Sequence, residues 1–128
     1  MTVPGKDAPQ VLVVEDDAHL RRSIVLILTA EGYRVREAAD GEEGLNQCLH
    51  GDWACILTDT MMPRMDGFDM LRKLRELGGS VPPVILVSAA YTTPSPDELR
   101  ALGIREVVPK PFAFDRLLAV IHSVIAGG

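Results

Sequence analysis

The chain has no run of Lys or Arg, and its 13 basic residues are outnumbered by 18 acidic ones, for a formal net charge of −5. Direct nucleic-acid binding rests on clustered positive charge, so the sequence argues against it. Long apolar stretches are missing too. Runs such as Ile24–Leu28 are far too short to cross a bilayer, and Met1 to Gln10 lacks the apolar core of a secretion signal. A cytoplasmic protein with no membrane partner is the expectation. Cysteine is scarce: Cys48 and Cys55 are not in a Cys-x-x-Cys arrangement. Both are expected as free thiols, Cys48 on a helix and Cys55 in a buried strand. No internal repeat or low-complexity segment is visible.

The 128 residues are 47% hydrophobic and 24% charged, too apolar for disorder and suited to one core. Pro4, Gly5 and Pro9 mark residues 1–9 as a flexible tail, leaving 10–128 as the folded domain. Five strand-like runs alternate with helical patterns: Val11–Val14, Tyr33–Glu37, Ala54–Thr58, Val84–Val87 and Glu106–Val108. The first, third and fourth are continuous Val/Ile/Leu-rich runs, as in parallel strands buried on both faces, whereas the second alternates and fits an edge. Leu20, Ile24, Ile27 and Leu28 recur at helical spacing, and Gly32 stops that helix. Asp40 and Asp66 are placed to cap two further helices, the second running to Gly78-Gly79. Ser95-Pro96 opens a fourth, and Phe114, Leu117, Leu118, Ile121 and Ile125 mark a fifth. This β-then-α repetition implies an α/β fold, a parallel sheet with helices on both faces.

Ligands of such sheets bind beyond the carboxyl ends of the strands. Strand one ends in Glu15-Asp16-Asp17, strand three in Asp59 and strand four in Ser88, and Lys110 follows strand five. Glu15, Asp16 and Asp59 would repel one another without a cation. Oxygen ligands with no His or Cys among them point to Mg²⁺ rather than Zn²⁺. Asp59 can then act as a nucleophile toward phosphorus, with Lys110 and Ser88 supplying a cation and a hydroxyl. Backbone N–H groups just after strands three and four, those of Thr60 and Ala89, can complete a phosphoryl cradle. Asp17 reads instead as the cap of helix one.

Four segments carry a resemblance to a known family: Val11-Leu-Val-Val-Glu-Asp-Asp17, Leu57-Thr-Asp-Thr-Met-Met-Pro-Arg-Met-Asp-Gly67, Val87-Ser-Ala89 and Pro109-Lys-Pro-Phe112. In order and spacing the chain resembles response-regulator receiver domains from about Gln10 to Ala126. The resemblance implies a (βα)₅ flavodoxin-like fold with strand order 2-1-3-4-5. It implies Asp59 as phosphoacceptor, Asp16 and Asp59 as direct Mg²⁺ ligands, and Glu15 as an acid acting through water. The Met61 backbone carbonyl would complete the metal site, and Ser88 and Lys110 would contact the phosphoryl group. It also implies a cis Lys110-Pro111 bond and a small residue, Ala89, that keeps the site open. Pro63, Asp66 and Gly67 would shape the loop. The implied donor is a sensor histidine kinase or histidine phosphotransfer protein, docking near Leu20 on helix one. Output would run through helix four, strand five and helix five to a downstream protein or output domain. No turnover of a separate substrate is expected.

Two positions depart from the family pattern. Val107 stands where an aromatic residue usually switches, with Tyr91 as a candidate substitute. Met61 and Ala90 are apolar where polar residues can orient a hydrolytic water, so slow loss of the phosphoryl group is expected. A Mg²⁺-dependent phosphatase of the haloacid-dehalogenase type would need an acid at Met61. A flavodoxin-like cofactor carrier would need Ser, Thr and Gly in place of Glu15-Asp16-Asp17. A receiver-like module that is never phosphorylated stays open as an alternative. His19, His50 and His122 are read as surface or helix-end residues, and Trp53 as packing at the start of strand three.

Overall fold

Continuous apolar strands need cover on both faces, and the computed structural model, which describes residues 5–78, 81–89 and 94–127, provides it. The strands are β1 (Gln10–Val14), β2 (Arg34–Ala38), β3 (Cys55–Asp59), β4 (Val84–Ser88) and β5 (Ile104–Pro109). The helices between and after them are α1 (Ala18–Ala30), α2 (Gly41–Leu49), α3 (Gly67–Glu76), α4 (Pro96–Ala101) and α5 (Phe114–Gly127). All pairings are parallel and the order is β2-β1-β3-β4-β5, as expected. Most strand limits differ from the expected ones by a residue, and β5 is longer because Ile104 pairs with Val84 ahead of a register shift.

Side-chain alternation along the strands divides the core in two. Leu12, Val14, Ile56, Val84 and Leu86 face one side, where Cys48 of α2 and Met70, Leu71 and Leu74 of α3 cover them. Val11, Val13, Cys55, Leu57, Ile85 and Val87 face the other, under Ile24 and Leu28 of α1 and Leu117, Ile121 and Val124 of α5. Each such side chain removed from water contributes about 1.5–3 kcal/mol. Ile27 departs from the expected core stripe: it is only half-buried, at the margin of a helix whose centre line is Ile24 and Leu28. The edge strands carry charge, Arg34, Arg36 and Glu37 on β2 and Arg105 and Glu106 on β5, which discourages pairing with other chains.

Helix starts follow the side chains expected to cap them. Asp17, Asp40, Asp66 and Ser95 each accept a backbone N–H from the first turn of α1, α2, α3 and α4. At the other end of α1, Gly32 takes φ 96°, a conformation glycine adopts without steric cost. The α3 stop involves Gly78 at φ 75°; Gly79 lies outside the described residues.

One close approach couples the fold to the strand ends. Gly67, the first residue of α3, packs so tightly on β3 that a Cβ there would collide with the Asp59 carbonyl oxygen. Its N–H donates to the Thr60 carbonyl at 3.0 Å. Gly67→Ala must therefore push α3 away from β3. Urea unfolding is expected to register a loss of about 1–3 kcal/mol, the usual cost of overpacking; unchanged stability would contradict this packing.

Candidate functional site

The order reverses at β1, whose chain leads to β2 on one side while β3 lies on the other, so a crevice opens above the ends of β1 and β3. Parallel register sets Val14 beside Thr58, which brings the following residues, Glu15 and Asp59, level at the rim. One carboxylate oxygen from each of Glu15, Asp16 and Asp59 lies within 4.8 Å of the others. Glu15 and Asp59 are buried, while Asp16 is exposed at the mouth. Three oxygen donors on one side of an open rim suit a hard divalent cation that keeps some of its water.

Lys110 enters from the end of β5. Its backbone N–H donates to the Ser88 carbonyl at 2.8 Å, and its bond to Pro111 is cis, as expected. Its Nζ donates to Glu15 Oε1 at 2.7 Å and to Asp59 Oδ2 at 2.9 Å. Glu15 Oε2 accepts the Asp17 N–H at 3.0 Å, and Asp59 Oδ1 accepts the Met61 N–H at 3.3 Å. Arg21 of α1 donates to the Glu15 carbonyl at 2.7 Å and pairs with Glu37 of β2, which fixes the β1 end from behind.

One ammonium cannot balance three carboxylates. Burial pushes the Glu15 carboxyl up to about 7; hydrogen bonds from Lys110 and Asp17 oppose the rise, and Asp16 and Asp59 reinforce it. Burial acts to lower the Lys110 ammonium, but its hydrogen bonds and charge attraction to Glu15 and Asp59 outweigh that, so it stays above its ordinary value. Lys110 is thus held charged, and Glu15 is the acid that shares a proton when no other cation is present. The two thiols lie apart from this chemistry: Cys48 and Cys55 are buried and free, each pushed by burial up to about 12.

Ser88 ends β4, with Ala89 after it at the surface. Ser88 shares a 3.0 Å hydrogen bond with the hydroxyl of Thr60, and both side chains are buried. Met61 is 69% exposed and lies at the surface beside Met62, Pro63 and Asp66. Ala90 and Tyr91, two positions singled out in the sequence, lie outside the described residues. Val107 is half-buried and packs on the α2–α3–α4 side of the sheet. An apolar groove of about 400 Å³ adjoins the site, lined by Leu20, Ala89, Lys110, Pro111, Phe112 and Phe114.

Sequence reasoning missed two contacts. The Thr60 hydroxyl entered it only as a neighbour of a useful backbone N–H; the signal was that Thr60 follows Asp59 where Ser88 follows Val87, so the two stand side by side in register. His122, read as a surface residue, hydrogen-bonds the Tyr33 hydroxyl and stacks on its ring at 5.4 Å between centroids. His19 is exposed as expected, its N–H capped by Asp17 at 3.0 Å. Trp53 is buried and its Nε1 donates to the Gln47 carbonyl at 3.1 Å.

The chain is similar to known proteins over most of its length. The family model described as the response regulator receiver domain matches residues 11–122. The chain is 36% identical over 115 residues to the uncharacterized transcriptional regulatory protein YkoG of Bacillus subtilis (strain 168), covering 90% of this chain and 50% of that protein. The chain thus spans about half the length of the curated relatives it matches. The receiver domain of the Francisella response regulator 1452 superposes with a TM-score of 0.82 at 30% identity, over 92% of this chain and 97% of that one. The response regulator protein TrrA of Thermotoga maritima, solved in complex with Mg(2+)-BeF, gives a TM-score of 0.78 at 27% identity, over 91% and 98%.

The Glu15 carboxyl makes the rim pH-sensitive. Its folded-state value lies above its ordinary 4.5, so its contribution to stability is full below about pH 4.5 and is lost as pH rises through about 7. In metal-free buffer, Glu15→Gln is expected to flatten the fall in urea stability across that window. Parallel profiles for the variant and the parent would exclude Glu15 as the titrating group.

Proposed function

We propose that this chain, which belongs to the response regulator receiver domain family, accepts a phosphoryl group on Asp59 from a partner's phosphohistidine in a Mg²⁺-dependent reaction. The observation that carries the reading is the placement of Asp59 itself. It is a buried carboxylate at a strand end, bonded to Lys110 Nζ at 2.9 Å and grouped with Glu15 and Asp16. Helix caps and solvated loops do not call for such a grouping, because burying two acids beside a third around one ammonium is costly without a cation to bind.

In the transfer, an Asp59 carboxylate oxygen forms the new bond to phosphorus while the bond from phosphorus to the partner's imidazole nitrogen breaks, and the imidazole leaves with the electron pair. Glu15, Asp16, Asp59 and the Met61 carbonyl are the groups that would hold Mg²⁺. Bound there, Mg²⁺ offsets the negative charge of the carboxylates and of the incoming phosphoryl oxygens. Lys110 neutralises a further oxygen, with its position held by the backbone bond to Ser88. The N–H groups of Thr60 and Ala89 and the Ser88 hydroxyl donate to the remaining oxygens.

The donor is a sensor histidine kinase or histidine phosphotransfer protein. The apolar groove between Leu20, Phe112 and Phe114 supports docking there, because it opens directly beside Lys110. Phosphorylation then shifts a two-state equilibrium of the surface formed by α4, β5 and α5. The weak anchoring of α4, which has no fully buried residue, supports that element as the part that moves. A cytoplasmic signalling role, with no turnover of a separate substrate, fits relatives that are transcriptional regulatory proteins.

Acetyl phosphate with Mg²⁺ is expected to add one phosphoryl group by intact mass, with none added when Mg²⁺ is omitted or in Asp59→Asn. An unchanged parent mass under donor excess would favour a receiver that is never phosphorylated. The phosphorylated chain should also decay slowly, because the exposed Met61 side chain cannot orient a water for attack. Met61→Asn is expected to speed decay roughly tenfold, a modest share of what a positioned proton-transfer group supplies. A parent half-life of seconds would sink the slow-decay reading.

A further inference from the structure

We infer that the Thr60 side chain is a positioning residue that holds Ser88 in the unphosphorylated arrangement and is released when Ser88 turns to the phosphoryl group. The inference rests on the reading of Asp59 as phosphoacceptor and deepens it, since it concerns the hydroxyl that must reach the modified carboxylate.

Three observations carry it. The first is the 3.0 Å bond between Thr60 Oγ1 and Ser88 Oγ, at side chains that are 4% and 6% exposed. Water has little access there, so the bond is not readily exchanged for a solvent one. The second is direction. Ser88 continues the alternation of Val84 and Leu86, which face the α2–α3–α4 side, and Thr60 continues that of Ile56. Asp59 continues that of Cys55 and Leu57, on the opposite side. The oxygens of Asp59 are met by Lys110 and by the Met61 N–H, and among the described residues no hydrogen bond joins Asp59 to Ser88. The third is Val107, which pairs with Leu86, two residues before Ser88, and has no hydroxyl or ring to engage. The Ser88 hydroxyl thus has a polar neighbour on the β3 side, and that neighbour is Thr60.

A bond present in one state and absent in the other shifts the equilibrium by its own net worth. Ser88 has a further interaction besides Thr60, so loss of the Thr60 hydroxyl leaves it partnered. Thr60→Val keeps the shape of the side chain and removes the restraint. It therefore raises the free energy of the unphosphorylated arrangement and leaves the phosphoryl-bound one unaffected.

The test is titration with beryllofluoride, a phosphoryl mimic, in the presence of Mg²⁺, followed by calorimetry on the whole chain. Thr60→Val is expected to half-saturate at roughly 2- to 10-fold lower beryllofluoride than the parent, the span of one net hydrogen bond. Thr60→Ser, which restores a hydroxyl, returns the parent value. In a Ser88→Ala background, Thr60→Val changes nothing, which a merely structural effect would not reproduce. Thr60→Ala gives the same reading if the valine variant fails to fold. Equal or weaker binding by Thr60→Val, with normal binding by the parent, would overturn the Thr60 restraint alone. Failure of the parent to bind beryllofluoride would overturn the phosphoacceptor reading and the restraint with it.

Discussion

A single ammonium group joins the two halves of the site. Lys110 Nζ reaches Glu15 at 2.7 Å and Asp59 at 2.9 Å, so the end of β5 is tied across β4 and β3 to the end of β1. Removing Lys110 from such a buried network leaves the carboxylates without compensation, at a cost of about 3–5 kcal/mol. The network is also incomplete by charge, since Asp16 adds a third carboxylate to the same rim. Burial drives the Glu15 carboxyl upward, and the neighbouring acids Asp16 and Asp59 reinforce the rise. The parallel sheet exists at this point to hold the network. Its registers place Glu15 and Asp59 level, and the Ser88 carbonyl fixes the Lys110 backbone.

The rim is stiff on one side and looser on the other. β1 and β3 are central strands, fully covered, with α3 seated directly on the Asp59 carbonyl through Gly67. α4 is six residues long, has no fully buried residue, and reaches α3 through the Arg72–Glu98 bond at 2.7 Å. An exposed ion pair of this kind contributes about 0–1 kcal/mol. In the proposed switch, the nucleophile Asp59 would thus stand on the well-packed part of the fold, apart from the lightly anchored α4.

Val107 bears on how the proposed movement of α4 would couple to the site. With an aliphatic side chain packed on the α4 side of the sheet, the coupling has no ring to swing inward. Moving a two-state element from mostly off to mostly on requires a differential of about 5.5 kcal/mol. One hydrogen bond such as that of Thr60 and Ser88 supplies about 1 kcal/mol of it. In the proposed switch, the greater part would have to come from the phosphoryl contacts themselves, and a weaker total would give a graded response.

Local rules carried much of this molecule on their own. Asp17, Asp40, Asp66 and Ser95 cap the helices they precede because capping depends only on a side chain and the next three backbone N–H groups. The apolar runs of β1, β3 and β4 declared a doubly covered parallel sheet because burial on both faces leaves no polar alternation. Candidate site residues were legible because the carboxyl end of a strand is a position in the sequence. What the sequence did not determine depends on distance across the sheet. Lys110 stands 95 residues from Glu15, and its bridging of Glu15 and Asp59 follows from their burial together. Thr60 and Ser88, 28 residues apart, meet only through the β3–β4 register. Tyr33 and His122 are brought together by α5 crossing back over the sheet. Ile27 lost its expected core position because only the packed helix shows where its stripe is centred. Periodicity and strand ends can be read from one chain segment at a time, whereas partners chosen by register, burial and helix placement exist only once the sheet is assembled.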